Sequence, residues 1–211
     1  WITGQEARAD VQLERAQCCA ILSGADTVIA DDPRLNVRVN ALAVSHSQAF
    51  QKRGSQPLRV IIDGQNRLND EYQIFNDGQP VLVFNARVNE KLTSPAIEQI
   101  QVAVQEPPIN LSKNHSSARS YLDLQAIMKS LGQKQINRVW TEAGGSLSGA
   151  LLKADMVNEL IIYQAPILLG SEARGAANIG LLSDLQQAIK TEFSDVIKVG
   201  RDLKLRMLIK S

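Results

Sequence analysis

Between Val139 and Leu152 a short apolar stretch, Val-Trp-Thr-Glu, runs into the glycine-rich Ala-Gly-Gly-Ser-Leu-Ser-Gly and then into Ala-Leu-Leu. A strand-to-helix junction of this kind aims backbone N–H groups and the positive end of a helix at an anion, and glycines let a pyrophosphate approach the chain. The spacing is not G-x-G-x-x-G, and the lysine of a P-loop is missing. By pattern alone, a tight turn needing positive φ explains the glycines equally well. Glu142 stands at the carboxyl end of the strand, the edge at which open α/β sheets bind ligands; a solvated loop carboxylate is the commoner fate of such a residue. Arg15 and Arg38 each offer a rigid donor fork that suits a phosphate or a polar ring, with surface arginines as the plainer reading. Asp31 and Asp32 before Pro33 suit a turn, and Thr27 a local cap. Trp1 fits either a core or a flat face for a planar ligand.

Other chemistries find little support. The two histidines, His46 and His115, lie in polar stretches without a ligand-type neighbour, and no serine, histidine and aspartate set carries a nucleophile motif, so neither zinc binding nor a catalytic triad is expected. Adjacent Cys18 and Cys19 are ill placed for a mutual bridge and read as buried free thiols of a reducing cytoplasm. The 211 residues carry 23 Lys plus Arg against 22 Asp plus Glu, and a net charge of +1 provides no broad field for nucleic acid or an anionic membrane. No apolar run reaches the ~18 residues that span a bilayer. A chain this long buries roughly 70% of its unfolded surface in one core, and a single domain over 1–211 is expected. The start at Trp1 rather than Met suggests a piece of something longer.

The elements that must position these residues follow from periodicity. Thr3 and Glu6 have capping-box spacing ahead of a helix to Gln17, on which Ala7, Val11 and Arg15 recur at four-residue steps, so that Arg15 follows the apolar stripe. Cys18 to Leu22 reads as a buried strand, Ala25 to Ala30 as a short helical turn, and Ala30 to Arg38 as an irregular loop enforced by Pro33. Asn40 to Gln56 is a polar excursion. Leu58 to Asp63, Val81 to Phe84 and Gln101 to Val104 read as strands, Leu122 to Leu131 as a helix ending at Gly132, Ile136 to Trp140 as a strand, Ser148 to Ala154 as a helix and Glu159 to Gln164 as another strand. Val196 to Val199 and Leu203 to Ile209 form a terminal antiparallel pair around Gly200 to Asp202. Strands alternating with helices give an α/β fold: a mostly parallel central sheet, helices on both faces and an antiparallel C-terminal edge.

Trp1-Ile-Thr with Arg15-Ala-Gln, Ala30-Asp-Asp-Pro-Arg-Leu-Asn-Val-Arg38, Glu142-Ala-Gly-Gly and Ala165-Pro-Ile-Leu-Leu-Gly170 together resemble the reductase domain of the bacterial bifunctional riboflavin-biosynthesis deaminase/reductase. The resemblance covers nearly the whole chain in order. It implies a dihydrofolate-reductase-like fold and NADPH-dependent reduction of the ribose carbonyl of 5-amino-6-(5-phosphoribosylamino)uracil to the ribityl compound. It further implies that Trp1, Thr27 and Asp31 contact NADPH and that Gly144, Gly145, Ser146, Leu147, Ser148, Gly149 and Ala150 form the pyrophosphate segment. Arg15, Leu35, Arg38 and Glu142 fall at substrate positions, and the proton donor stays unassigned between Asp31 and Glu142. The resemblance implies a homodimer, and a strand containing Ser-Leu-Asp-Gly together with a zinc deaminase domain ahead of Trp1, neither of which is in this sequence. Rival expectations are a reductase of the same fold acting on another pyrimidine or pterin, a non-catalytic scaffold for a deaminase partner, or a nucleotide binder without turnover.

Overall fold

A computed structural model describes residues 1–38, 55–105 and 121–210. Most of the polar excursion after Asn40, with His46, lies outside the described residues, as does the serine-rich run that contains His115.

Five short strands form an all-parallel sheet: β1 (Ala20–Gly24), β2 (Leu58–Ile62), β3 (Val81–Asn85), β4 (Ile97–Gln101) and β7 (Val139–Thr141), in the order β4-β3-β2-β1-β7. Side chains alternate across the pleat and supply two cores. Ile21, Ile61 and Val83 pack on one side with Ala25 and Val28 of helix α2 (Ala25–Asp31). Ala20, Leu22, Val60 and Phe84 pack on the other with Ile127 and Leu131 of α3 (Leu124–Gln133) and Leu151 of α4 (Gly145–Lys153). Covering on both faces explains why β3 reads Val-Leu-Val-Phe without a polar break. Each such side chain removed from water contributes about 1.5–3 kcal/mol. The expected helices on both faces are therefore present.

The antiparallel edge takes the form of a sheet of its own. β8 (Glu159–Gln164), β10 (Asp202–Ile209) and β9 (Thr191–Val199) pair in the order β8-β10-β9, and Gly200 at φ 61° supplies the positive dihedral that a two-residue hairpin turn demands. A further small ladder joins β5 (Val104–Gln105) to β6 (Tyr121–Leu122).

Several boundaries differ from the sequence reading. The strand expected over Gln101 to Val104 is split between the end of β4 and β5, because edge strand β4 alternates Ile-Glu-Gln-Ile-Gln and lacks the run of branched residues that marks a strand. β1 begins and ends two residues later than expected, since Ser23 stays buried in the strand by donating its hydroxyl to the Glu142 carbonyl at 2.6 Å. α4 starts at Gly145 rather than near Ser148, and two of the glycines that suggested loop, Gly145 and Gly149, are close-packing positions: Asn178 N–H reaches the Gly145 carbonyl at 2.7 Å, and a Cβ on Gly149 would lie 2.0 Å from the Asn178 oxygen. Thr3 is not a side-chain cap. Gly4 is the N-cap of α1 (Gln5–Gln17), and its N–H donates to Asp202 of β10 at 2.6 Å. Cys18 and Cys19 form no disulfide.

The β2 residue that least resembles a strand-core side chain is the best anchored. Arg59 is 2% exposed, and its guanidinium makes a two-pronged pair with Asp77, both distances 2.9 Å, while also reaching the carbonyls of Gln79 and Arg34 at 2.5 and 3.3 Å. Removing one member of a buried pair leaves the other charge uncompensated. Arg59→Met is expected to lower the unfolding free energy by about 3 kcal/mol in urea titrations, against under about 0.5 kcal/mol for Lys210→Met, whose pair with Glu192 is exposed. Equal small effects would contradict this anchoring.

Candidate functional site

Beyond Thr141, strand β7 continues to lean on β1, and the Glu142 N–H donates to the Leu22 carbonyl at 2.9 Å. Together with the Ser23 hydroxyl on its carbonyl, this fixes Glu142 at the carboxyl edge of the parallel sheet. Arg15, projecting from α1, meets it in a two-pronged pair: Nε to Oε1 at 2.6 Å and Nη2 to Oε2 at 2.5 Å. The Trp140 indole N–H donates to the same Oε1 at 2.5 Å. The third guanidinium nitrogen donates to the Asn36 carbonyl at 2.9 Å, so one arginine joins α1, the end of β7 and the loop after α2.

Two residues after Glu142 the chain enters a cavity of about 920 Å³, within the roughly 300–1,000 Å³ usual for small-molecule sites. It lies across the carboxyl ends of β1 and β2, at Gly24 and Ile62, and beside the start of α4. The first turn of α4, through Gly145, Ser146 and Leu147, lies in the lining and brings the positive end of the helix to it, and a Cβ on its N-cap Gly144 would meet no protein atom within 4 Å. Lys153 and Arg174 bring positive charge to the lining, while Tyr121, Leu122, Leu124 and Met156 give it an apolar floor. Backbone donors, two cations and an apolar floor are the chemistry of a site for a phosphorylated planar cofactor. The residues present fit a dinucleotide.

Of the residues singled out in the sequence, Thr27, Gly144, Gly145, Ser146, Leu147 and Ala150 line this cavity. Arg15 and Glu142 form the adjoining pair. Ser148 and Gly149 lie outside the lining: the Ser148 hydroxyl donates back to the Ala143 carbonyl at 3.2 Å, and Gly149 receives Asn178. Leu35 is buried beside Ala25 and Val28 with φ 47°, so that any contact it makes with a ligand runs through its backbone rather than its side chain. Asp31 is exposed at the end of α2, whereas its neighbour Asp32 is the left-handed cap that accepts from the Gln73 N–H at 2.8 Å. Arg38 is exposed, and its N–H is held by Gln12 at 3.0 Å. Trp1 is 92% exposed and stacks under the Arg8 guanidinium, 5.1 Å from the ring centroid.

Sequence reasoning missed Lys153, Arg174, Asn178 and Tyr121. Lys153 ends the helix whose start was identified, a signal that was available. Arg174 and Asn178 come from the long connection between β8 and β9, and nothing local to them announces a cavity. Among the described residues no group of three His, Cys, Asp or Glu side chains is placed to hold a metal ion, and no helix is long and apolar enough to cross a membrane.

The chain is similar to known proteins along its whole length. It is 41% identical over 209 residues to the riboflavin biosynthesis protein RibD of Escherichia coli, covering 99% of this chain and 53% of that protein. It is 34% identical over 206 residues to the 5-amino-6-(5-phosphoribosylamino)uracil reductase of Buchnera aphidicola, covering 97% of this chain and 93% of that one. The structure of Acinetobacter baumannii RibD superposes with a TM-score of 0.79 at 32% identity, covering 100% of this chain and 52% of that one. The chain thus spans about half the length of the RibD proteins it matches. The sequence model of the RibD C-terminal domain matches residues 1–205, and the chain belongs to that family.

Proposed function

We propose that this chain reduces the ribose carbonyl of 5-amino-6-(5-phosphoribosylamino)uracil with NADPH, yielding the ribitylamino product. The observation that carries this reading is the cavity of about 920 Å³, whose helix-start donors adjoin the Arg15–Glu142 pair through two residues of chain. The names of the Escherichia coli and Buchnera relatives support it. A reductase of this kind calls for a nicotinamide cofactor, which when bound supplies the hydride, so that the protein's own work is to bind, orient and exclude water.

The geometry supports that division of labour. The α4 start takes the pyrophosphate, and Lys153 with Arg174 takes the additional ribose phosphate that distinguishes NADPH from NADH. Glu142, accepting from Arg15 on both oxygens, orients that arginine toward the substrate and is an acceptor rather than a proton donor. Asp31, exposed at the end of α2, is the freer candidate for proton transfer. Arg38, in the loop pinned by Asp32 and Gln12, is left for the substrate phosphate. The Gly175–Asn178 segment lies over α4 and screens the cofactor from water.

We further infer a homodimer. β9 is exposed along nearly its whole length and carries Phe193, Val196 and Ile197 outward, joined by Leu203 on β10. An unpaired apolar edge sheet of this kind invites a second copy. A cytoplasmic site of action and a deaminase domain as partner in a longer chain complete the reading.

The direct test follows NADPH oxidation by its near-ultraviolet absorbance while a separate deaminase generates the substrate in place. Oxidation that needs the substrate and disappears in Arg38→Ala supports the reading, and substrate-independent or absent oxidation contradicts it. Glu142→Gln is expected to raise the KM for the pyrimidine about tenfold or more and the NADPH KM no more than about twofold, since a charge-assisted pair of ~1.5–3 kcal/mol is lost on the substrate side; equal losses would count against the assignment. Replacing Lys153 and Arg174 together by Ala should reduce the preference for NADPH over NADH about tenfold or more in steady-state kinetics, and an unchanged preference would remove both from that role. In sedimentation, Val196→Glu should convert dimer to monomer, whereas a parent protein that is monomeric at micromolar concentration would sink the dimer.

A further inference from the structure

Glu14 stands next to Arg15 on α1, is 3% exposed, and takes no part in the site just described. Its Oε1 accepts from Lys204 Nζ at 2.7 Å and from Arg206 Nη2, both on β10. One turn earlier, Asp10 accepts from Lys204 and from the Tyr163 hydroxyl, each at 2.5 Å, and Arg206 also reaches Glu159 at 2.7 Å. Three carboxylates thus meet two cations along the seam between α1 and the antiparallel sheet. Burial works to lower the Lys204 pKa, but the hydrogen bonds and charges of Asp10 and Glu14 outweigh it and hold the ammonium above its ordinary value. Burial, reinforced by Asp10, holds the Tyr163 phenol protonated well above the usual range.

Among the described residues the apolar grip on α1 is thin: its buried residues are Ala7, Gln12, Glu14 and Ala16, with Leu13 packed beside Ala16 and Val37 and Val11 half-buried. Charge contacts therefore decide how the helix is rotated about its axis. Successive helical residues are set about 100° apart, so pinning Glu14 to β10 determines the direction in which Arg15 leaves the helix. Among the described residues Glu14 Oε2 has no hydrogen-bond partner, so the grip of this carboxylate runs through Oε1 to β10.

We propose that Glu14 is the positioning residue for Arg15: clamped between Lys204 and Arg206, it turns α1 so that the Arg15 guanidinium meets Glu142 and the Asn36 carbonyl. The inference rests on the reading of Arg15 as a substrate-binding residue, but its geometry can be read independently. Trp140 donates to Glu142 Oε1 and so reports on the pair. It is one of two tryptophans, and a Trp1→Phe background leaves it as the sole tryptophan, read by excitation at the red edge where tyrosine does not absorb.

In Glu14→Gln the side-chain shape is kept and Asp10 of α1 retains both Lys204 and Tyr163, so α1 stays docked. Trp140 emission should then shift in the same direction as in Arg15→Ala, with Glu192→Gln, at an exposed pair, leaving it unchanged. An emission spectrum identical to the parent would overturn the proposal. In kinetics the pyrimidine KM should rise about tenfold with kcat and the NADPH KM within about twofold. A lowered melting temperature with both KM values unchanged would mark Glu14 as structural only and also overturn it. If emission shifts while neither parent nor variant turns over, the positioning stands and the reductase reading fails; turnover in the parent with unshifted emission fails the positioning alone.

Discussion

One two-pronged ion pair ties together parts of the chain that sequence keeps far apart. Arg15 belongs to α1, Glu142 to the end of β7, and the Asn36 carbonyl to the loop after α2; the single guanidinium satisfies all three. Planar, bidentate recognition of a carboxylate is a task for which lysine is no substitute. This contact ties the loop from Ala30 to Arg38 directly to the residue just ahead of the glycine turn that opens the cavity, in addition to the loop's anchors at Gln12, Gln73 and Arg59. The pair is partly buried, which strengthens it relative to a surface ion pair and makes its direction dependable.

Two kinds of force divide the molecule. Around the parallel sheet, apolar side chains do the holding, with helices packed on both faces. At the seam between α1 and the antiparallel sheet, charges do it, through Asp10, Glu14, Lys204 and Arg206. The candidate site lies where these two regimes meet. Its cavity stands on the carboxyl edge of the apolar sheet, and the Arg15–Glu142 pair hangs from a helix that is ion-paired to β10. Arg59 extends the same logic to the loop, since its buried guanidinium holds the Arg34 carbonyl just ahead of the strained Leu35.

What the sequence made legible is what local chemistry encodes. Short runs rich in Val and Ile and bounded by Gly, Pro or Asn marked β2 and β3, four-residue spacing placed Arg15 on the α1 face that reaches the site, and the glycine turn after Glu142 marked a helix, though its start was expected three residues late. Contacts made by distant chain were not legible. Gly149 resembled a cofactor glycine, yet its missing Cβ makes room for Asn178, which belongs to a connection about thirty residues on. Arg174 reaches the cavity by the same route. Edge strand β4 was met only at its last residue, Gln101, because Glu98 and Gln99 interrupt its apolar run although Ile97 and Ile100 pack into the cores on opposite faces of the sheet. Thr3 matched a capping pattern, but the tertiary donor–acceptor pair from Gly4 to Asp202 replaced it.

If the cavity and the Arg15–Glu142 pair are two halves of one site, as proposed above, hydride passes directly from cofactor to sugar. The most direct test supplies NADPH deuterated at the transferring position of the nicotinamide and examines the ribitylamino product by mass spectrometry. The account predicts one deuterium, bound to the carbon that had been the ribose carbonyl. A product formed with only solvent-derived hydrogen at that carbon would contradict it.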